Sequence, residues 1–201
     1  MKNKRNILHK TISMIHPLIP FCSAIDMDSA RKYSRTLAYK ASEYRPDIVI
    51  GIAIGGLYPA YEVSLYLDCE MDTIQISHYR YQMSILKDMP GVFRIVKITR
   101  DLISRNQKPL LIKNTKSKNF EGKKLLVVDD NSLNGETLEF TKEYLERRNS
   151  GDVKTAVLLK HGKYKPDFFA VECFKGAVLP WREISPYYDD YLERTANLGL
   201  I

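Results

Sequence analysis

The stretch KKLLVVDDNSLNGET, residues 123–137, constrains the fold more than any other part of the chain. Its four apolar residues at 125–128 form a continuous run that is typical of a strand buried on both faces of a sheet. The run is predicted to end at Asp129 and Asp130, and a polar turn over residues 131–135 then leads into a helix. Because the free N–H groups and the positive dipole end of a helix N-terminus attract negative charge, this arrangement predicts an anion site.

The two carboxylates directly before this site narrow the choice of ligand. Asp129 and Asp130 would repel a phosphate unless they serve something else, such as sugar hydroxyls or a magnesium ion. The stretch therefore indicates a phosphorylated sugar. We expect both carboxylates to be solvated and to line the ligand site.

Buried runs alternate with helical stretches along the chain, which predicts an α/β fold with a doubly wound parallel sheet. The predicted strands are residues 48–53, 73–77, 124–128, 153–159 and 168–171, with weaker runs at 92–98 and 110–113. The predicted helices are residues 26–44, 59–67 and 135–149. Asp26 or Asp28 can cap the first helix, and Pro46 ends it.

A second candidate loop follows the run at 48–53, where the chain reads Ile54-Gly55-Gly56. Two adjacent glycines let the backbone approach a ligand closely or adopt positive φ. Taken alone, the pair predicts no more than a tight turn between a strand and a helix. Its position one strand–helix unit before the acidic loop favours a ligand-binding role.

Five motifs in this order resemble the type I phosphoribosyltransferases, which bind phosphoribosyl diphosphate (PRPP), and among them the hypoxanthine, guanine and xanthine enzymes most. The motifs are Gly55-Gly56, Ser77-x-Tyr79, the acidic loop at Asp129-Asp130, Lys160 and Pro180-Trp181. The resemblance covers residues 26–181. It implies the type I phosphoribosyltransferase fold, with a small hood made from the chain ends and a site at a topological switch point of the sheet.

The resemblance also implies a role for each motif. Asp129, Asp130 and Tyr79 are implied as catalytic residues, and the two aspartates also as the metal site for Mg²⁺ bound with PRPP. His78 and Arg80 are implied as parts of a lid. Lys160, Trp181 and Leu133 are implied to contact the base. The residues implied to bind PRPP and its phosphates are Ile54, Gly55, Gly56, Asp129, Asp130, Asn131, Ser132, Leu133, Asn134, Gly135, Glu136 and Thr137.

Four positions depart from the family pattern. Ile54 stands where the family has a basic residue, and Asn134 where it usually has threonine. Glu136 places a carboxylate in the phosphate cradle, where it would repel the ligand unless it turns outward. Leu133 replaces the aspartate that takes a proton from a purine, and leucine cannot act as a general base. Ordinary 6-oxopurines are therefore predicted to be poor acceptors.

Two functions remain open at this point. The first is an active phosphoribosyltransferase that uses PRPP and a base-like acceptor. The second is a catalytically degenerate relative that binds PRPP or a nucleotide as a sensor or regulator. The net charge of +7 also permits nucleic acid. A nucleic-acid module is disfavoured because no known readout motif is present.

The length of 201 residues fits one α/β domain. We expect an N-terminal arm at 1–25, a phosphoribosyltransferase-like domain at 26–181 and a C-terminal tail at 182–201 that packs on the body or on a partner subunit of a homo-oligomer. Three scattered cysteines and the lack of a run long enough to span a membrane predict a cytoplasmic protein without membrane contact.

Overall fold

The computed structural model describes residues 22–78, 109–114, 119–148, 150–173 and 176–199. The strands are β1 (Cys22–Ala24), β2 (Ile48–Ala53), β3 (Glu70–His78), β4 (Pro109–Asn114), β5 (Leu125–Ser132), β6 (Val153–Lys160), β7 (Phe168–Glu172) and β8 (Gly176–Val178). The helices are α1 (Met27–Ala41), α2 (Leu57–Leu67), α3 (Glu136–Glu146) and α4 (Tyr188–Thr195), and a 3₁₀ turn (Ser42–Tyr44) follows α1.

The main sheet has the strand order β4-β3-β2-β5-β6-β7. All neighbouring strands from β3 to β7 pair in parallel, and β4 pairs antiparallel with β3. Helices flank the five parallel strands. The predicted α/β fold of the type I phosphoribosyltransferases is therefore confirmed.

Strand β5 lies in the interior of the sheet, between β2 and β6, as its continuous apolar run predicted. Alternate side chains of a strand point to opposite faces. Leu126 and Val128 therefore join the core that contains α1 and α2 residues, whereas Leu125 and Val127 join the core on the α3 side. Both faces of β5 are covered, and its polar end emerges at the carboxyl edge of the parallel strands.

The polar end of β5 is longer than predicted. The expectation that the strand stops at Asp129 and gives way to a turn over 131–135 is wrong, because Asn131 and Ser132 still pair with Leu159 and Lys160 of β6. The neighbouring strand offers backbone partners that outweigh the turn preference of this polar sequence. The loop before α3 is thereby reduced to residues 133–135.

Helix boundaries follow local chemistry. Asp26 caps α1 by accepting a hydrogen bond from the Ser29 N–H at 2.7 Å, and this bond lowers the pKa of the Asp26 carboxyl. Helix α2 begins at Leu57, two residues before the predicted start, with Pro59 inside its first turn. Helix α3 ends at Glu146, three residues before the predicted end.

The two chain ends meet in a separate two-stranded parallel sheet, in which β1 pairs with β8. A hydrogen bond of 2.9 Å from the Ile25 N–H to the Val178 carbonyl extends this pairing. The sequence predicted a small hood from the chain ends, and that assignment of this two-stranded sheet stays a prediction. Among the described residues, no helix is long and apolar enough to cross a membrane.

Several predictions fall outside the described residues: the strand at 92–98, Tyr79 and Arg80, and most of the N-terminal arm. The division into arm, domain and tail stays a prediction.

Candidate functional site

The two loops singled out in the sequence meet at the carboxyl edge of the sheet. Gly51 of β2 is level with Val128 of β5, so the end of β2 lies beside the acidic end of β5. A Cβ atom added to Gly55 would lie 2.2 Å from Oδ2 of Asp130, closer than any side chain could approach. Gly56 is packed as closely, since a Cβ there would lie 2.4 Å from the Val128 carbonyl oxygen. Both glycines are therefore required for the loops to touch.

Asp130 is the centre of this contact, and its environment differs from the prediction. The expectation that it is solvated is wrong, because the residue is only 3% exposed. Its Oδ2 accepts hydrogen bonds from Nε1 of Trp181 at 2.9 Å and from Nη2 of Arg182 at 3.2 Å. Its Oδ1 accepts one from Nδ2 of Asn131 at 2.9 Å. A buried carboxylate needs such partners to remain charged.

Asp129 points to the opposite face of β5 and remains partly exposed. Its Oδ1 accepts a hydrogen bond of 2.8 Å from the Asp130 N–H. The pKa of the Asp129 carboxyl is raised well above its usual value. The main cause is loss of solvation by the surrounding protein, and the charge of Asp130 adds to it. The two adjacent acids are thus separate groups with different surroundings.

The predicted phosphate loop lies between β5 and α3. Gly135 has φ of 79° and precedes the first residue of α3, and no side chain caps this helix. Backbone N–H groups of a first turn have no partner inside the helix and suit an anion, and here Asn134 engages that of Glu136. Glu136 and Leu133 are exposed, the latter by 68%, and Asn134 accepts a hydrogen bond of 3.4 Å from the Glu136 N–H.

The loop between β6 and β7 supports the phosphate loop. The His161 N–H donates to the Ser132 carbonyl at 2.8 Å, and a Cβ on Gly162 would lie 2.5 Å from the Leu133 carbonyl oxygen. The ring of Tyr164 covers Gly135, where an added Cβ would lie 2.1 Å from Cδ2. The sequence analysis missed Tyr164, which carries no signal beyond lying in the loop after Lys160.

Two further residues of the phosphate loop lie partly or fully inside the protein. Ser132 is 5% exposed, and its hydroxyl has no hydrogen-bond partner among the described residues. Thr137 is partly exposed in the first turn of α3. Ser132 ends β5 and Thr137 is the second residue of α3, so the two residues flank the phosphate loop.

Lys160 ends β6, as predicted, and its side chain is largely buried. Its ammonium group forms an ion pair with Glu172 of β7 and lies 5.8 Å from the centre of the Phe169 ring. The predicted contact of Lys160 with a base stays a prediction. Such a contact would share the ammonium group with Glu172.

Trp181 is 6% exposed and belongs to an aromatic cluster with Tyr58 and Tyr191. The ring centres lie 5.9 Å and 6.1 Å from that of the indole. This packing aims the indole N–H at Asp130. The predicted contact of Trp181 with a base stays a prediction, and the contact that the structure gives it is with Asp130.

Arg182 is a site residue that the sequence analysis missed. Its only signal is that a basic residue follows the Pro-Trp motif directly. Its contact with Asp130 joins residues 52 positions apart, which no local pattern predicts. Of the implied lid, His78 ends β3, opposite Pro109 of β4.

The implied magnesium ion fits one of the two acids better than the other. No group of three or more His, Cys, Asp or Glu residues in the described part of the chain could hold a metal by itself. Mg²⁺ at a phosphate site takes one or two carboxylates and completes its shell with substrate oxygens and water. Partly exposed Asp129 suits this role, whereas Oδ2 of Asp130 already accepts two hydrogen bonds.

Several solved structures, purine phosphoribosyltransferases among them, have a fold similar to that of this chain. The purine phosphoribosyltransferase of Pyrococcus horikoshii is 26% identical with a TM-score of 0.62, over 80% of this chain and 93% of that one. The xanthine-guanine-hypoxanthine phosphoribosyltransferase of Helicobacter pylori is 17% identical with a TM-score of 0.57, over 88% and 98%. A hypothetical protein of Neisseria gonorrhoeae with bound ppGpp is 19% identical with a TM-score of 0.61, over 88% and 98%.

Sequence comparison gives the family. No curated protein matches the chain. The family model of the phosphoribosyl transferase domain matches residues 27–190, which include both loops, Lys160 and the Trp181–Arg182 pair. The chain therefore belongs to the phosphoribosyl transferase domain family, a family of transferases.

Proposed function

We propose that the chain moves the ribose 5-phosphate group of PRPP to a nitrogenous, base-like acceptor and releases pyrophosphate. The observation that carries the proposal is the contact between the Gly-Gly loop and the acidic end of β5, where Gly55 lies against Asp130. This contact brings a close-approach glycine loop, a carboxylate and an open helix N-terminus to one edge of a parallel sheet. Ligands of open α/β sheets bind at this edge.

The proposed reaction breaks one bond at C1 of the ribose and forms another. The bond from C1 of the ribose to the pyrophosphate oxygen breaks, and its electron pair leaves with pyrophosphate. The lone pair of the acceptor nitrogen forms the new bond to C1, and the proton that this nitrogen carries passes to solvent. Charge stabilisation therefore matters more than covalent chemistry here.

Each part of the site has a role in this proposal. The first turn of α3 and residues 133–135 hold the 5′-phosphate, and Glu136 is exposed rather than enclosed with it. Asp129 would orient the ribose hydroxyls and hold the Mg²⁺ that binds with PRPP, and this ion would supply positive charge for the pyrophosphate. Asp130 fixes the Gly-Gly loop beside the leaving group.

The acceptor is not an ordinary 6-oxopurine in this proposal. Leu133 is 68% exposed and offers no proton acceptor, and the ammonium group of Lys160 is engaged by Glu172. An unpaired polar edge of the base in a closed site would cost about 1–3 kcal/mol, roughly tenfold to a hundredfold in binding or rate.

The second candidate is a PRPP- or nucleotide-binding regulator of the same fold. It is favoured by the engagement of Asp130 and Lys160 with protein partners, because neither group is free to act on a substrate without giving up a contact.

The test is pyrophosphate release from PRPP and Mg²⁺ with a panel of purine, pyrimidine and other nitrogenous bases. We expect release with an acceptor other than hypoxanthine or guanine, and a gain with these two bases in the Leu133→Asp variant. Full activity of the unmodified chain with hypoxanthine or guanine, undiminished against the variant, would refute the acceptor assignment. Binding of PRPP or ppGpp in calorimetry without release from any base would favour the regulator.

Two further expectations rest on the sequence. Assembly as a homo-oligomer remains a prediction, which gel filtration with light scattering would check. A cytoplasmic location also remains a prediction, which cell fractionation would check.

A further inference from the structure

The proposed pyrophosphate position carries an electrostatic problem. Pyrophosphate at the Gly-Gly loop would lie beside the Asp130 carboxylate, so negative charges would face one another. The Gly-Gly loop offers no side-chain cation, because Ile54 is apolar and 66% exposed. Lys160 is held by Glu172 on the other side of β5. A positive side chain from elsewhere in the chain would add to the charge that Mg²⁺ bound with PRPP supplies.

Arg182 is brought to this place by the tertiary structure. Its Nη2 lies 3.2 Å from Oδ2 of Asp130, and the same oxygen lies 2.2 Å from the position of an added Cβ on Gly55. The guanidinium group and the Gly-Gly loop thus contact one carboxylate oxygen.

The guanidinium group keeps unused donors. Within the described part of the chain its side chain makes a single hydrogen bond, to Asp130, although a guanidinium group has five N–H donors. The side chain is 56% exposed, so a ligand can reach it. Its planar fork suits two oxygens of a phosphate group.

The backbone of Arg182 is fixed, which gives the side chain a defined origin. Its N–H donates to the Leu179 carbonyl at 3.1 Å, and its carbonyl accepts from the Ser185 N–H at 2.7 Å. The preceding Trp181 is buried in the aromatic cluster. Arg182 is therefore presented at the site by a rigid part of the C-terminal segment.

We propose that Arg182 binds the pyrophosphate group of PRPP with the guanidinium donors that Asp130 leaves unused, and so supplies the positive charge that Ile54 cannot. The proposal rests on the proposed function. As the bond from C1 to the pyrophosphate oxygen breaks, the electron pair moves onto pyrophosphate, and Arg182 stabilises the growing negative charge. Its ion pair with Asp130 orients the group between turnovers.

The test compares ligands with and without pyrophosphate by calorimetry on the full chain. The ligands are PRPP, inorganic pyrophosphate and ribose 5-phosphate, each with Mg²⁺. We expect Arg182→Gln to weaken binding of the first two about tenfold or more, since a charge-assisted hydrogen bond is lost. Binding of ribose 5-phosphate should change less than about threefold. Arg147→Gln removes an exposed arginine directly after α3 that forms an ion pair with Glu143, and should change none of the three.

Two further variants separate ligand contact from support of Asp130. Arg182→Lys keeps a positive charge but loses the planar fork, so it should retain only part of the pyrophosphate affinity. Adding Ile54→Lys to Arg182→Gln places a cation on the Gly-Gly loop and should restore part of the lost affinity without restoring the ion pair to Asp130.

Three outcomes would overturn the inference. They are an equal loss for ribose 5-phosphate and pyrophosphate, unchanged binding of pyrophosphate in Arg182→Gln, and no recovery in the double variant. The first would show that Arg182 acts only by holding Asp130. If the unmodified chain binds PRPP but Arg182→Gln does so equally well, the inference fails and the proposed function stands. If the unmodified chain binds none of the ligands, both fail.

Discussion

Asp129 and Asp130 are neighbours in the sequence and have the same side chain, yet their surroundings are opposite. Asp130 is buried among Gly55, Trp181, Arg182 and Asn131, and both of its oxygens accept hydrogen bonds. Asp129 is partly exposed, and its Oδ1 accepts a hydrogen bond from the N–H of its neighbour. The difference teaches that one acid ties β5 to the Trp181–Arg182 segment, whereas the other is partly exposed and can meet a ligand.

The largest expected effect is a loss of stability in a variant of Asp130, whereas a variant of Asp129 should lose ligand binding instead. Asp130→Ala leaves the buried Trp181 N–H without a partner and should lower the free energy of unfolding by about 2–3 kcal/mol. Asp129→Ala should change it by less than about 1 kcal/mol, because the side chain is partly exposed and accepts a hydrogen bond from its neighbour, yet it should abolish Mg²⁺-dependent PRPP binding. Urea denaturation and calorimetry measure the two quantities. An equal loss of stability in both variants would contradict the different roles inferred for Asp129 and Asp130.

A smaller effect tests the contact between the loops. Gly55→Ala would place a Cβ 2.2 Å from Oδ2 of Asp130, so the carboxylate or the loop must move. We expect a loss of about 1–2 kcal/mol in the free energy of unfolding and weaker PRPP binding. A double-mutant cycle sharpens this prediction: in the Asp130→Ala background the same change should cost less, because the clashing carboxylate is gone. Additive losses in the free energy of unfolding would show that Gly55 and Asp130 are not energetically coupled.

The smallest effect concerns the support behind Trp181. The Tyr58 hydroxyl donates to Glu62 at 3.0 Å, and its ring packs 5.9 Å from the indole. Tyr58→Phe removes this hydrogen bond and should cost about 1 kcal/mol at neutral pH. Urea denaturation measures this loss. Tyr39→Phe, at a residue that is 71% exposed, serves as the control and should cost nothing measurable.

The stability that the Tyr58 hydroxyl provides is also expected to depend on pH. Burial, and next the charge of Glu62, raise the pKa of Tyr58 from 10.0 to about 12. The unfolded chain therefore loses this proton first, so the stability that Tyr58 provides is complete below pH 10 and is lost as the pH rises toward 12. The advantage over Tyr58→Phe should shrink over that range in urea titrations. A constant difference up to pH 12 would contradict the burial of this hydroxyl.

Much of the fold followed from short-range patterns. The apolar run at 125–128, the Gly55-Gly56 pair and the order of the motifs determined the parallel sheet, the place of β5 inside it and the family. These features are local, since a continuous apolar run requires cover on both faces wherever it lies. The N-cap at Asp26 was predictable for the same reason.

Tertiary structure alone decided the roles within the site. Two adjacent aspartates look equivalent in a sequence, but strand geometry sends them to opposite faces once β6 extends the pairing to Ser132. Trp181 and Arg182 reach Asp130 from more than 50 positions away, because the aromatic cluster fixes where the C-terminal segment lies. The sequence determined which residues gather at the sheet edge. Packing between distant segments decided which acid is buried, which is available and which cation stands beside it.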